Sequence, residues 1–215
     1  RLTGAPFARR IDGMAAEALI PTSPVEAVGI FGDGGDVAVF GGGTILLPEI
    51  AAGRFRPERT MLLHRSGLDT LDASGDVVRI GAMTTIAALV EYTDDLLTRF
   101  AEHLGDREVL RTATLGGNLC ASPGIGAQRG DLGAPLIALG ARVRTAGKGG
   151  ERTEPVEDFL VGDRGARLVL GVEYDRPSGK SAAEIMRRRH AHSFAVVNVA
   201  VAESGGELRI GISGI

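Results

Sequence analysis

Two glycine-rich segments of the chain have the residue types of a phosphate-binding loop. The first is Phe40-Gly41-Gly42-Gly43-Thr44, which follows a short apolar segment typical of a β-strand. Consecutive glycines allow positive φ angles and let backbone N–H groups approach an anion that a side chain would block. The Thr44 hydroxyl adds a donor for a phosphate oxygen. A plain turn between a strand and a helix explains the same residues, so this segment alone leaves both interpretations open.

Two common nucleotide-binding patterns do not describe the first segment. A P-loop requires Gly-Lys-Ser or Gly-Lys-Thr after its glycines, and that sequence is absent here. The dinucleotide fingerprint G-x-G-x-x-G also fails, because position 46 is Leu.

The second segment is Thr112-Ala113-Thr114-Leu115-Gly116-Gly117-Asn118, which again combines hydroxyls, adjacent glycines and an amide. Two such segments in one chain suggest opposite walls of a single phosphate-rich site. Asp131 follows, directly before an apolar segment at 134–141. An Asp at this position caps the next helix or contacts a ligand, and the two roles are compatible.

The elements that must position these segments can be predicted from capping residues and periodicity. Ser23 before Pro24 predicts the start of a helix over 25–31, and a strand is expected over 36–40. The segment 109–123 is predicted to be an ordered loop, and 134–141 a buried helix. From residue 142 onward apolar residues alternate between glycine-rich turns, which indicates antiparallel strands. We therefore predict an α+β protein with a small α/β lobe over 1–70 and a larger lobe with an antiparallel sheet over 71–215.

Composition excludes several classes of protein. The chain has 24 Lys and Arg against 27 Asp and Glu, a net charge of −3, whereas nucleic-acid-binding domains are usually basic. Its single Cys excludes a disulfide framework and a four-thiolate metal or iron–sulfur site. No apolar run reaches the roughly 18 residues of a membrane span, and no leader is evident at the start. We expect a cytoplasmic protein that binds neither nucleic acid nor metal.

Five ordered blocks of the sequence together resemble one family. They are Pro24-Val25-Glu26-Ala27-Val28, Val39–Pro48 (VFGGGTILLP), Arg79–Thr85 (RIGAMTT), Ala113–Asn118 (ATLGGN), and Arg187-Arg188-Arg189 with Phe194-Ala195-Val196-Val197. In this order they are similar to the flavin-binding, or medium, subunit of molybdenum hydroxylases, a group that includes carbon monoxide dehydrogenase and xanthine dehydrogenase. Leu110 and Arg111 depart from the residues that usually precede the ATLGGN block.

The resemblance implies a two-lobed PCMH-type fold that holds FAD in extended form between its lobes. Residues 41–46 would wrap the pyrophosphate with backbone N–H groups, and 114–118 would line the cofactor as a second loop. Asp131 would bind ribityl or ribose hydroxyls, and Val169 would pack on the isoalloxazine ring. The residues expected to contact the cofactor are Val39, Phe40, Gly41, Gly42, Gly43, Thr44, Ile45, Leu46, Thr114, Leu115, Gly116, Gly117, Asn118, Asp131, Val169 and Ile185.

Departures from the family pattern accompany this resemblance. The loop between Asn118 and Asp131 is a few residues longer than usual, and the family's usual C-terminal domain is absent or not included. Ile185 stands near a position where relatives often have Lys or Tyr beside the flavin. An aliphatic side chain there removes a hydrogen-bond donor, which is expected to lower the reduction potential of the flavin.

The function implied by the resemblance is electron transfer inside a complex. A large subunit with a molybdenum cofactor would oxidise the substrate, and a small [2Fe-2S] subunit would pass electrons to FAD on this chain. An external acceptor such as NAD, a quinone or oxygen would then receive them. Two alternatives remain open at this point: a flavin-free scaffold of the same fold, and a stand-alone FAD oxidase, for which the sequence offers no identifiable base.

Overall fold

The computed structural model describes residues 17–92, 96–121, 130–187 and 195–214. Its strands are β1 (Glu17–Leu19), β2 (Ala38–Phe40), β3 (Arg59–Leu62), β4 (Leu71–Asp72), β5 (Val77–Gly81), β6 (Arg142–Gly147), β7 (Arg152–Pro155), β8 (Arg167–Asp175), β9 (Ser181–Arg187), β10 (Ala195–Ser204) and β11 (Glu207–Ser213). Its helices are α1 (Pro24–Phe31), α2 (Leu46–Ala51), α3 (Ile86–Tyr92), α4 (Leu96–Ala101), α5 (Arg107–Thr112), α6 (Leu115–Leu119), α7 (Gly133–Ala138) and α8 (Val156–Val161). Within the described residues, no helix is long and apolar enough to cross a membrane.

A small parallel sheet forms the first part of the fold. Its strand order is β1-β3-β2, with both pairs parallel, so each connection crosses over through other elements. Helix α1 makes one crossover. Its predicted start is confirmed: the Ser23 hydroxyl accepts a hydrogen bond from the Glu26 N–H at 3.1 Å, and Pro24 occupies the first helical position.

Two antiparallel sheets form the remainder, which confirms the predicted α+β class. The larger has the order β4-β5-β8-β6-β7, and the smaller has the order β11-β10-β9. Strand β8 lies in the middle of the larger sheet and is buried along nearly its whole length. Its sequence therefore reads as an almost continuous apolar run rather than an alternating one.

Strand β8 also divides the apolar interior into two cores. Leu168 and Leu170 pack into the smaller core, with α1 and the parallel sheet. Val169 and Val172 pack into the larger core, with α3, α4, α6 and α7. Successive side chains of a strand point to opposite faces, and the register shift opposite Arg144 and Thr145 brings Val172 onto the face of Val169. This one strand therefore contributes side chains to both cores. The division into 1–70 and 71–215 stays a prediction.

The prediction of an ordered loop over 109–123 was wrong as far as residue 121. Two short helices, α5 and α6, occupy most of this stretch. The Asp106 side chain accepts a hydrogen bond from the Val109 N–H at 2.9 Å, and the Thr114 hydroxyl accepts one from the Gly117 N–H at 3.2 Å. These side-chain caps stabilise turns whose glycine and threonine content argues against helix.

Candidate functional site

The first glycine segment forms the turn that leaves the carboxyl end of β2. Gly43 has φ +71°, in the region that favours glycine, and the carbonyl of Gly43 accepts a hydrogen bond from the Leu47 N–H at 2.9 Å. The backbone N–H groups of 42–45, in contrast, donate to no acceptor among the described residues. These residues are half-buried. Four consecutive N–H groups that find no acceptor in the described part of the chain form a backbone cradle of the kind that binds anions.

The two glycine segments contact each other directly, as the sequence predicts for two walls of one site. A Cβ on Gly42 would lie 2.6 Å from the Thr112 carbonyl carbon and closer still to its oxygen. A Cβ on Gly41 would lie 2.5 Å from the Thr114 hydroxyl oxygen. Gly41 and Gly42 are therefore required by the close approach of the two segments.

Backbone hydrogen bonds fix the second segment to the turn between β5 and α3. The Leu115 N–H donates to the Thr84 carbonyl at 3.0 Å, and the Gly116 N–H donates to the Ala82 carbonyl at 2.8 Å. A Cβ on Gly116 would lie 2.9 Å from the Ala82 Cβ, so glycine is needed here for close packing as well. These bonds hold the second segment on the turn between β5 and α3, beside the glycine turn.

The two threonine hydroxyls expected at the cofactor have different surroundings. Thr114 is 3 % exposed, and its hydroxyl caps α6 by accepting from the Gly117 N–H. The half-buried Thr44 hydroxyl makes no hydrogen bond to the described residues. Thr44 is therefore the better placed of the two to donate to a ligand oxygen.

Two neighbouring cavities share lining residues, and one of them adjoins the glycine turn. One, of about 300 Å³, is lined by Phe40, the glycine turn and residues of β3, and the other, of about 430 Å³, reaches Met83 and Thr85. Both are lined by Leu63 and His64, which follow β3. Sequence reasoning missed this pair. Their position directly after the middle strand of a parallel sheet could have indicated them, since ligands bind at the carboxyl ends of such strands.

Asp131 lies in the turn before α7, between two asparagine side chains. Its Oδ1 accepts a hydrogen bond from the Asn198 Nδ2 at 2.8 Å, while the Asn118 Oδ1 accepts one from the Leu132 N–H at 3.0 Å. Asp131 does not cap α7, whose N-cap position is Leu132 and has no side-chain cap bond.

The two remaining site residues lie on strands of the antiparallel sheets, Val169 on β8 and Ile185 on β9. Val169 is 3 % exposed within the larger core, so only a small part of its surface is open to a ring. Ile185 is half-buried on β9, directly opposite Asn198 of β10, the residue bonded to Asp131. Their expected contacts with the flavin stay predictions, as do the other cofactor contacts.

Part of the sequence pattern lies outside the described residues. This applies to 122–129, most of the lengthened loop, and to 188–194, which include Arg188, Arg189 and Phe194 of the last resemblance block. Among the residues that are described, no group of three or more His, Cys, Asp or Glu side chains could hold a metal ion.

Comparisons with known proteins identify the family. Residues 14–172 match the model for the FAD binding domain in molybdopterin dehydrogenase. The nicotine 6-hydroxylase medium subunit of Paenarthrobacter nicotinovorans is 28 % identical over 202 residues, a match that covers 88 % of this chain and 69 % of that subunit.

Solved structures agree with this match. A chain of carbon monoxide dehydrogenase from Hydrogenophaga pseudoflava is 27 % identical with a TM-score of 0.78, covering 92 % of this chain and 74 % of that one. A chain of quinoline 2-oxidoreductase from Pseudomonas putida 86 is 24 % identical with a TM-score of 0.76, and the match covers 94 % of this chain and 74 % of that one. This likeness supports the fold. The family model spans well over half of the sequence, and the backbone cradle suits a pyrophosphate. The chain therefore belongs to the family of FAD-binding domains of molybdopterin dehydrogenases, it is a flavoprotein oxidoreductase subunit, and its cofactor is FAD.

Proposed function

We propose that this chain is the electron-transfer subunit of a molybdenum hydroxylase-type complex. A large subunit with a molybdenum cofactor and a small [2Fe-2S] subunit are its expected partners. The single Cys is consistent with this division, because the thiolates that hold iron–sulfur clusters must then come from a partner chain. It is also consistent with the reducing cytoplasm in which we expect the complex to work.

The observation that carries the proposal is the row of four backbone N–H groups at 42–45, beside the second glycine segment, for which residues 17–92, 96–121, 130–187 and 195–214 offer no acceptor. Backbone N–H groups bind a pyrophosphate without any nearby Lys or Arg cluster. Thr44 would donate its hydroxyl to the same phosphates. Asp131, placed by the turn before α7, would accept hydrogen bonds from cofactor hydroxyls.

The residues of this chain would act by holding the cofactor in place. FAD, when bound, supplies the redox chemistry and exchanges electrons with the partner and the acceptor. The glycine turn and Asp131 would fix its position, and Val169 and Ile185 would set the polarity around its ring. No base that would support a stand-alone oxidase is identified among these residues.

The first experiment measures bound flavin. An absorbance spectrum of the purified chain, before and after denaturation, should show flavin bands, and the released cofactor should be FAD by chromatography. A colourless protein that does not take up added FAD would overturn the assignment of the site and favour the flavin-free scaffold.

The second experiment tests the complex. The tagged chain is recovered from its own source cells, and the eluate is analysed for molybdenum, iron and FAD. Molybdenum and iron in constant ratio to FAD support the proposed partners. Substrate turnover by the chain with FAD alone, with neither metal present, would show a stand-alone oxidase instead.

A further inference from the structure

We infer that Asn198 is a positioning residue for the cofactor: it orients the Asp131 carboxylate that binds FAD hydroxyls. This inference rests on the proposed FAD site. It assigns a role to a residue from the smaller antiparallel sheet, which the motifs of the site do not include. Its basis is a buried hydrogen-bond arrangement around the turn 130–132.

Asn198 is a buried polar residue in the otherwise apolar stretch 195–202 of β10. It is 1 % exposed, and its neighbours on the same face of β10, Ala200 and Ala202, are buried apolar residues. A buried amide without partners would cost stability, so such a residue is retained where it is hydrogen-bonded. Its Nδ2 donates to the Asp131 carboxylate at 2.8 Å and to the Ser213 hydroxyl at 3.3 Å.

The hydrogen bond from Asn198 to Asp131 joins a neutral donor to a carboxylate acceptor. A carboxylate accepts only, so the NH₂ side of the amide must face it, and this fixes the orientation of Asn198. Bonds from a donor to a charged acceptor are shorter and stronger than neutral ones. Because Asp131 itself is 8 % exposed, the bond lies in a low-dielectric environment that strengthens it further.

The turn is held from its other side by α6. The Asn118 Oδ1 accepts the Leu132 N–H, and Gly130 approaches α6 so closely that a Cβ there would overlap the Asn118 carbonyl oxygen. Asn118 thus fixes the backbone of the turn, whereas Asn198 fixes the carboxylate that the turn carries. The side chain of Asp131 therefore depends on a residue 67 positions later in the sequence.

This arrangement predicts that Asn198→Ala weakens FAD binding through Asp131. Removing a donor to a charged group costs enough to raise the FAD dissociation constant at least about tenfold. The constant is measured by quenching of flavin fluorescence on titrating the apoprotein with FAD. The matched control is Ser213→Ala, which removes the other partner of the same amide and should leave the constant within about twofold of wild type.

Two further measurements separate positioning from general destabilisation. In an Asp131→Ala background, Asn198→Ala should have almost no additional effect on FAD binding, because the group it orients is gone. Asn198→Asp should bind FAD poorly at pH 8 and recover towards pH 5. Two adjacent carboxylates repel each other at high pH, and a single shared proton restores the hydrogen bond at low pH.

The outcomes are distinct. A wild-type chain that takes up no FAD overturns the proposed function itself. Three results would overturn the positioning role while leaving the FAD site intact. They are unchanged FAD binding in Asn198→Ala, a loss of FAD affinity in Ser213→Ala equal to that in Asn198→Ala, and fully additive losses of FAD affinity when Asn198→Ala is combined with Asp131→Ala. If Asp131→Ala fails to fold, the Asn198→Asp variant decides instead: a loss of FAD binding that does not change with pH would overturn the positioning role.

Discussion

Replacing Gly42 by Ala tests the packing that brings the two glycine segments together. The added methyl group would lie 2.6 Å from the Thr112 carbonyl carbon and 3.0 Å from the Ala113 Cα. Both neighbours are backbone atoms, so no side-chain rotation can relieve the overlap. The two segments must separate, and the N–H groups of 42–45 would move with them.

The expected magnitude follows from overpacking and from lost hydrogen bonds. Forcing a methyl group into a packed region costs about 1–3 kcal/mol. In a chain of this size each kcal/mol lowers the unfolding midpoint by about 2–4 °C, so we expect a decrease of about 2–12 °C. Loss of even one N–H bond to a charged phosphate would weaken FAD binding by about tenfold or more.

The assay compares Gly42→Ala with Gly29→Ala, which is a matched control. Gly29 lies on the exposed face of α1, and nothing lies within 4 Å of an added Cβ. Alanine there should raise stability by about 0.5–1 kcal/mol and leave FAD binding unchanged. The apoprotein unfolding midpoint and the FAD dissociation constant are measured for each. If Gly42→Ala has the unfolding midpoint and the FAD dissociation constant of the wild type, the packing argument is refuted.

Two other predictions concern the flavin environment and the first helix. Ile185→Lys should raise the midpoint potential of bound FAD in a potentiometric titration, because a cation near the ring favours the electron-rich reduced form; an unchanged potential would contradict the placement of Ile185. Hydrogen bonds from the Thr22 N–H and hydroxyl hold the pKa of Glu26 below its ordinary value. Glu26 therefore adds stability that is present at neutral pH and lost as the pH falls through its lowered pKa. Glu26→Gln should accordingly lower stability in urea denaturation at pH 7, and its difference from wild type should shrink below about pH 4.3. A difference that stays constant with pH would contradict this explanation.

The sequence predicted those features that depend on neighbouring residues. Ser23 before Pro24 is a local capping pattern, and the helix it predicted is present. The two glycine segments were predicted to face each other, because similar residue types in both suggested one ligand. The same local rules, applied to Asp106 and Thr114, would have predicted α5 and α6. The glycine and threonine content of 109–123 led instead to the prediction of a loop.

Other features depend on distances that no local pattern contains. Nothing near Gly42 indicates that Thr112 packs against it, because 70 residues separate them in the chain. The bond between Asp131 and Asn198 is similarly remote. A partial signal existed, since Asn198 is the one polar residue in the apolar stretch 195–202, and a buried amide requires a partner. That signal indicates a partner but does not identify it.

The glycines of the first segment therefore have two separate physical explanations. Gly43 supplies a positive φ, whereas Gly41 and Gly42 allow another backbone segment to come close. In the site that we propose, the anion is bound by the N–H groups of 42–45, which donate to no acceptor among the described residues. A motif of three glycines is thus mainly a requirement of packing, and binding follows from the geometry that this packing produces. Gly41 and Gly42 follow β2 of the parallel sheet, whereas Thr112 ends α5 and Thr114 caps α6, so the cofactor site that we propose depends on these two segments being packed together.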